Sequence, residues 1–408
     1  MHSWRAASHV VFPGLRSVVR DADGTFSLYN PAHGTSIDVE AESAALVSDL
    51  LAAFETPRTV DSLLAAEPDL PEDLLLLLVR SGFVVEESEL SFLAQGFLRP
   101  TTAPVGQPVG WSDLPELPLH DAWAVLGVPT DAGALGAGGA RHGPSEIRKY
   151  VSGPLIAGEG DVVDHDFDRI YPSLRPRVVD LGDVDPEGGR LEHVGMRMRK
   201  VLRELFAQGV KPLVLGGDHT VTHFALEAAM EAHPRFGIIH FDAHHDLTPS
   251  VWVSHANVFR AALASERVAN LVQIGLRVIE RMPVYATRTP CPKRKVVSAR
   301  QAAAGKAHAL LAALPRDLPY YLSVDIDCID GAVVRETGTP EPGGLSVSLA
   351  TELVDLVARS FTLIGADFVE VAGPRGGTNQ AATIAASLLQ RCVIGDAPFE
   401  PLTGDVYL

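Results

Sequence analysis

Acidic and histidine residues crowd the ends of three short apolar runs. Asp218 and His219 follow "PLVLGG", Asp242, His244, His245 and Asp246 follow "GIIHF", and Asp325 and Asp327 lie in "SVDIDCID". Side chains of an extended segment alternate faces. If residues 238–246 leave a sheet extended, Asp242, His244 and Asp246 share one face and Ala243 and His245 take the other. By the same rule Asp325 and Asp327 oppose Val324 and Ile326. Gly216 and Gly217, ahead of Asp218 and His219, let another backbone approach closely. Carboxylates converging on one point repel and raise each other's pKa, whereas divalent cations neutralise them, so the pattern reads as a binuclear metal site. Oxygen and imidazole donors without thiolate favour Mn(II), with Fe, Co, Ni or Zn able to enter by affinity. Two ions sharing carboxylates lower the pKa of a bridging water, which points to metal-assisted hydrolysis. The glycine pair is not a phosphate loop, because no Gly-Lys-Ser or Gly-Lys-Thr follows.

Such residues need a scaffold that ends several strands at one edge. From about residue 120 the chain repeats strand, loop and helix through "AWAVLGVP", "RVVDLGDV", "KPLVLGGDHT", "FGIIHFDAHHD", "LVQIGLR", "PYYLSVDIDCID" and "TLIGADFVEVA". Short β-branched runs without polar alternation predict a parallel sheet covered on both faces, and such sheets bind ligands outside the carboxyl ends of their strands. Residues 119–408 are read as this α/β domain. Residues 96–118, rich in Pro, Gly and Thr and without periodicity, read as a linker. Residues 1–95 read as a smaller α+β unit. It has a hairpin from residues 25–29 and 35–39, and a helix carrying Leu46, Val47, Leu50, Leu51 and Phe54 on one face. Further helices fall at "TVDSLLAA" and "PEDLLLLLVRSG", and "FVVEE" closes the unit.

A formal net charge of −17 removes the usual electrostatic reason for binding nucleic acid or anionic membrane. The cysteines, Cys291, Cys328 and Cys392, lack C-x-x-C spacing, so neither a disulfide framework nor a zinc knuckle is suggested and a reducing cytoplasm fits. "SWRAASHVVFPGLRS" is broken by polar residues and Pro13 and lacks a secretion-signal pattern, and "LLLLLV" is too short to span a bilayer. No membrane partner and a cytoplasmic location are therefore expected. His120, His142, His165, His193, His233 and His308 stand alone and read as surface or satisfied core residues.

"GGDHT", "FDAHHD", "SVDIDCIDGAVVRETGTPEPGG" and "GADFVEV", in that order, resemble the signatures of the ureohydrolases: arginase, agmatinase, guanidinobutyrase and formiminoglutamase. The resemblance extends through "GVPTDAGALGAGGARHGPSEIRKY", "VVDLGDV" and "QIGLR", about residues 120–395. It implies a three-layer α/β/α fold around a parallel sheet and two Mn(2+) per subunit. It also implies a ligand set: His219, Asp242, Asp246 and Asp325 for one ion, and His244, Asp242, Asp325 and Asp327 for the other. "SHANVF" then makes His255 the acid/base or proton shuttle. Glu370 matches the acid that pairs with the substrate guanidinium, and Asp246 orients the attacking hydroxide. Related enzymes form trimers or hexamers, so a homo-oligomer is implied. The hairpin, helices and last strand before residue 90 resemble the small winged-helix-like domains that bind leader peptides, including the peptide chaperone of pyrroloquinoline quinone biosynthesis.

The chain departs from the family pattern in places. Ala256 replaces the usual Gly after the shuttle histidine. Asp330-Gly331 and Arg335-Glu336-Thr337-Gly338 replace Asp-Pro and Pro-Gly-Thr-Gly, which adds charges to a loop expected near the mouth. Gly376 stands where an acid is expected, "LTPSVWVS" is short, and the arginase-type segment that reads the α-amino and carboxylate groups of free arginine is absent. The expectation is an agmatinase-like Mn-dependent amidinohydrolase giving urea and an amine from a guanidino small molecule. An alternative is a peptide arginase that converts Arg to ornithine in a precursor held by the N-terminal unit. Further alternatives are a non-catalytic metal-stabilised binding protein and a deacylase with one Zn.

Overall fold

The computed structural model describes residues 121–403 apart from 152–159, 173–177, 187–188, 251, 280–290, 375 and 396. It also describes residues 8–11, 16–19, 26–30, 35–39, 41–54, 58–68, 70–80, 84–86, 98–99, 101, 104–105 and 107–108 of the preceding chain. The chain divides into two compact units, Met1–Phe97 and Leu98–Leu408.

In the first unit the expected hairpin is present, with Phe26–Asn30 antiparallel to Thr35–Val39 and Arg16–Val19 on its other side. Helices Ala41–Ala53, Val60–Ala66 and Glu72–Arg80 follow, and Ser8–Val11 pairs with both Arg58–Thr59 and Val84–Glu86. Val47, Leu50 and Phe54 recur at helical spacing and are buried with Leu63, Leu75, Leu78 and Val84, so this unit has its own core. Thr59 starts the second helix by accepting the Ser62 amide through its hydroxyl.

The second unit contains a sheet of ten strands: β1 Leu98–Arg99, β2 Gln107–Pro108, β3 Trp123–Gly127, β4 Val178–Val184, β5 Lys211–Leu215, β6 Phe236–Phe241, β7 Val268–Leu276, β8 Arg294–Ser298, β9 Tyr320–Asp325 and β10 Leu363–Val369. Its order is β8-β7-β6-β9-β10-β5-β3-β4-β1, with β2 also paired to β4. All pairs are parallel except β4 with β1.

Burial on both faces explains the continuous apolar runs. Leu213, Leu215, Ile239 and Phe241 pack into one core with helices Gly143–Tyr150, Val347–Ser360 and Gln380–Ile394. Val214, Phe236 and Ile238 pack into the other with helices Leu191–Ala207 and Thr220–Ala232. This is a three-layer α/β/α sandwich, and each fully buried Leu, Ile or Phe stabilises it by about 1.5–3 kcal/mol. The helices are rooted by charged groups as well. Arg148, buried, donates through Nε and Nη2 to Asp180 at 3.0 Å each and through Nη1 to Asp183 at 2.6 Å.

The stretch expected to be a linker, 96–118, contributes β1 and β2 to the sheet, and Val105 is buried with its amide donating to Asp180 Oδ2 at 2.8 Å. Two-residue edge strands carry no periodicity, so the sequence pattern does not register them. Among the described residues no helix is long and apolar enough to cross a membrane.

Candidate metal centre

Register brings four strand ends to one edge. Phe241 pairs with Val324, Val324 with Phe368, and Phe368 with Leu215, so neighbouring β6, β9, β10 and β5 stop level with one another. Asp242 and Glu370 follow these ends directly, Asp325 is the last residue of β9, and His219 lies four residues past the end of β5.

The chain does not leave β6 extended, as alternation required. Residues 242–246 bend, and Ile326–Cys328 is a 3-10 turn that follows β9 directly. Three aspartates make the same local turn instead. Asp242 Oδ1 accepts the His244 amide, Asp325 Oδ1 accepts the Asp327 amide at 2.8 Å, and Asp218 Oδ1 accepts the Thr220 amide at 2.9 Å. In the first two turns residues i and i+2 both reach the cluster, the pairing strand alternation was expected to produce; in the third the cluster residue is His219, at i+1, and Asp246 is placed by its left-handed backbone instead. Asp327 Oδ1 accepts the Ala243 amide at 3.0 Å, which ties the two turns together.

The remaining oxygens face two histidines. Nδ1 of buried His219 stands 2.7 Å from Asp246 Oδ2 and 3.3 Å from Oδ2 of both Asp242 and Asp325. Nδ1 of His244 stands 3.0 Å from Asp327 Oδ2 and 3.3 Å from Asp242 Oδ1. All six expected ligand residues therefore lie together. His245 is not grouped with them: its Nδ1 accepts the Leu247 amide at 2.7 Å, although the residue also lines the cavity in front of the cluster.

The donor chemistry fits a cation. His219 Nε2 lies 3.0 Å from Ser323 Oγ, which gives its single proton to Asp367 Oδ1 at 2.7 Å. Ser323 must then accept from Nε2–H, so Nδ1 is the nitrogen left for a cation. Burial opposes charge on the ring, but Asp242, Asp246 and Asp325 raise the His219 pKa well above the imidazole range, and a metal ion would take the place of that proton. That buried nitrogen makes no hydrogen bond to the three carboxylate oxygens in front of it. Burial raises the pKa of Asp325 well above the carboxylate range, with the charges of Asp327 and Asp242 adding to it. Asp246 is pushed up to about 6 by burial and by Asp242. His244 shows the converse: burial opposes its charge, yet Asp242 and Asp327 outweigh burial and push it up to about 12. The cluster attracts positive charge.

Two of these residues have strained backbones. Asp246 has φ 49° and Glu370 φ 62°, in the left-handed region that favours glycine. Glycine is required nearby. A Cβ on Gly217 would lie 1.8 Å from Thr130 O, and Gly275, at φ +113°, would put one 2.7 Å from Asp242 O.

Glu370 Oε1 accepts the His219 amide at 2.9 Å and lies 3.1 Å from His255 Nδ1, while His255 Nε2 accepts the Leu135 amide at 3.1 Å. Burial opposes a charge on His255, but Glu370 prevails and raises its pKa. Both residues line a cavity of about 190 Å³ with His219, His244, Asp246, Asp325, Thr339 and Ala256. Among the described residues no lysine or arginine lines it.

The position of Glu336 corrects an expectation. It does not charge the mouth: its side chain is buried and its Oε2 accepts the Ala381 amide at 3.4 Å, at the start of helix Gln380–Ile394, where the helix dipole favours an anion. Arg335 beside it is exposed. Sequence reasoning missed His240, Ser323, Gln273 and Asp367, which surround the ligands from inside the sheet. Their only signal was polarity within strands otherwise apolar.

A model of the arginase family matches residues 121–395. Guanidinobutyrase of Pseudomonas aeruginosa is 33% identical over 291 residues, 68% of this chain and 88% of that one. Agmatinase of Serratia proteamaculans is 33% identical over 275 residues, 65% of this chain and 84% of that one. Among solved structures, proclavaminate amidino hydrolase from Streptomyces clavuligerus superposes with a TM-score of 0.58 at 26% identity, covering 73% of this chain and 99% of that one.

Proposed function

The chain belongs to the arginase family, and from that premise we propose a Mn-dependent amidinohydrolase that cleaves a guanidino substrate to urea and an amine. The similarity to guanidinobutyrase and agmatinase supports this reaction class over a deacylase with one Zn or a non-catalytic scaffold. In this reading His219, Asp242, Asp246 and Asp325 hold one ion, and His244, Asp242, Asp325 and Asp327 hold the other. When bound, two such ions supply hydroxide at neutral pH by lowering the pKa of a shared water.

The protein's own residues do the rest. Glu370 receives the guanidinium, a planar cation that a carboxylate binds as a forked, charge-assisted pair. The pairing turns the guanidino carbon toward the acidic cluster. Asp246 orients the attacking oxygen through its carboxylate. His255, whose pKa Glu370 raises against burial, would take up a proton from solvent on Nε2, giving up the Leu135 amide there, and pass it to the departing amine nitrogen. The observation that carries the reading is the lining of the cavity: Asp246 and Asp325 with histidines, a further carboxylate set apart at Glu370, and no lysine or arginine among the described residues, which suits a cationic headgroup.

A larger substrate has its own support. Leu135, whose amide reaches His255, leaves its side chain 73% exposed, an apolar contact beside the site. The first unit has its own core and a hairpin followed by three helices and a last strand, the order on which the expected resemblance to leader-peptide modules rests. In this second reading a precursor peptide docks on that unit and its arginine side chains become ornithine.

Urea release with Mn decides between them, measured on agmatine, guanidinobutyrate, guanidinopropionate, free arginine and arginine-containing peptides. Turnover of a small guanidino compound supports the first reading. Urea from a peptide but not from agmatine or free arginine supports the second, and no urea from any of them refutes both.

A further inference from the structure

His240 sits in a cluster that also holds His219, Asp242 and Asp246, all with ligand atoms within 4.8 Å of one another, so by position alone it is a candidate ligand. Its hydrogen bonds decide otherwise. Gln273 Oε1 accepts from Arg294 Nε at 2.7 Å, and Gln273 Nε2 donates to the His245 carbonyl at 2.8 Å. A guanidinium nitrogen can only donate and a carbonyl oxygen can only accept, so the Gln273 amide has one orientation. Its Nε2 also lies 3.0 Å from His240 Nδ1, which must therefore be the acceptor. A ring whose Nδ1 accepts carries its proton on Nε2. That nitrogen lies 2.8 Å from Asp242 Oδ2 and donates to it.

We propose that His240 is a positioning residue, locked by the chain Arg294–Gln273–His240 as an Nε2–H donor to Asp242 and thereby withheld from the metal. The bond matters because Asp242 belongs to both ligand groups, with Oδ2 toward His219 and Oδ1 toward His244. Held on one side by His240 and on the other by the His244 amide, the carboxylate cannot rotate away from either. Orientation of a ligating carboxylate by a neighbouring donor is the kind of support whose loss lowers metal affinity about 10–100-fold. His240 is fully buried with its ring 4.3 Å from that of Phe259, centroid to centroid, so solvent cannot substitute for the missing donor.

The inference rests on the two-ion reading above, and the experiment separates the two. The chelated full-length protein is titrated with Mn alone. Stoichiometry, affinity and the Mn electron paramagnetic resonance spectrum are read, with the melting temperature of the chelated protein as a control on folding. Wild type binding fewer than two ions overturns the two-ion reading whatever His240 does. His240→Gln restores a donor at the Nε2 position without an imidazole. It is expected to keep both ions, the spin-coupled spectrum and an affinity within about threefold of wild type; loss of one ion would make His240 a ligand and overturn the inference. His240→Leu is expected to keep the chelated melting temperature and lose affinity about 10–100-fold, and binding equal to wild type would overturn it. If His240→Leu fails to fold, Gln273→Met leaves the imidazole in place and removes the donor to Nδ1. A several-fold loss of Mn affinity is expected, and no change would break the proposed chain.

Discussion

Replacing Glu370 with glutamine isolates one charge. The Oε1 atom accepts the His219 amide at 2.9 Å and faces His255 Nδ1 at 3.1 Å. The Gln oxygen preserves both contacts, and the residue keeps its volume and its φ of 62°. What changes is the other terminal atom, from a carboxylate oxygen to an amide that donates and so opposes the guanidinium donors. Bonds to charged groups contribute about 1.5–3 kcal/mol, so losing the arm of the fork at that atom, where a donor now faces a donor, removes about 3 kcal/mol. At 1.36 kcal/mol per tenfold, kcat/KM falls by roughly 100-fold. The guanidinium is cationic in the ground state as well as the transition state, so most of the loss should appear in KM. Steady-state urea release on the substrate that wild type turns over reads this directly, and Mn content and melting temperature should stay at wild-type values. Alanine would be a poorer probe, because it leaves the buried His219 amide without its acceptor. A Glu370→Gln enzyme within threefold of wild-type kcat/KM would refute the substrate role, and loss of Mn would mean that Glu370 supports the metal centre instead.

Other perturbations test the ligand set. His244→Ala should reduce bound Mn from two ions to one and abolish urea release, whereas His245→Ala should lower stability by about 1–3 kcal/mol through the orphaned Leu247 amide and leave Mn content intact; equal Mn loss from both would break the division. Asp246→Gly relieves a left-handed backbone worth about 1–2 kcal/mol and removes a carboxylate that repels Asp242, so the chelated protein should melt higher while Mn no longer stabilises it. Scanning calorimetry with and without chelator checks both signs. Because His244 holds a proton up to about pH 12 in the absence of ions and must lose it to ligate, Mn binding at pH 7 should release protons and tighten as pH rises. Titration calorimetry in buffers of different ionisation enthalpy measures the release, and proton uptake would contradict it. Stability follows the same sign: a histidine pKa raised on folding stabilises the chelated protein below about pH 6.5 and loses that contribution as pH climbs toward 12, while Asp246, raised to about 6, stabilises below about pH 4 and loses its contribution through pH 6.

The candidate site was legible because its residues lie in short contiguous motifs. Asp242, His244 and Asp246 are separated by two positions each, and local turn chemistry acts over that range. The expectation rested on strand alternation, yet the aspartate side chains themselves bend the backbone by capping amides two residues on. For Asp242 with His244 and Asp325 with Asp327 the period of two survived a wrong mechanism, because both residues of each turn reach the cluster, whereas Asp246 arrives through its left-handed backbone. His240 escaped for the opposite reason. Its polarity is compensated by Gln273 and Arg294, which are 33 and 21 positions from their respective partners along the chain, and no local pattern records that pairing. Glu336 misled because its place in a loop suggested the mouth, whereas its partner is a helix start 45 positions away.

Sequence alone determined the class of the scaffold and the candidate ligands, because strand periodicity, glycine placement and residue identity are local properties of the chain. The tertiary structure decided which strands lie side by side, and hence that β5, β10, β9 and β6 end level at a common edge. It also decided which nitrogen of each buried histidine carries a proton, since that depends on acceptors contributed by distant strands. Register between strands and hydrogen bonds across them are set by packing of the whole sheet between its two helical layers, and no window of sequence contains that information.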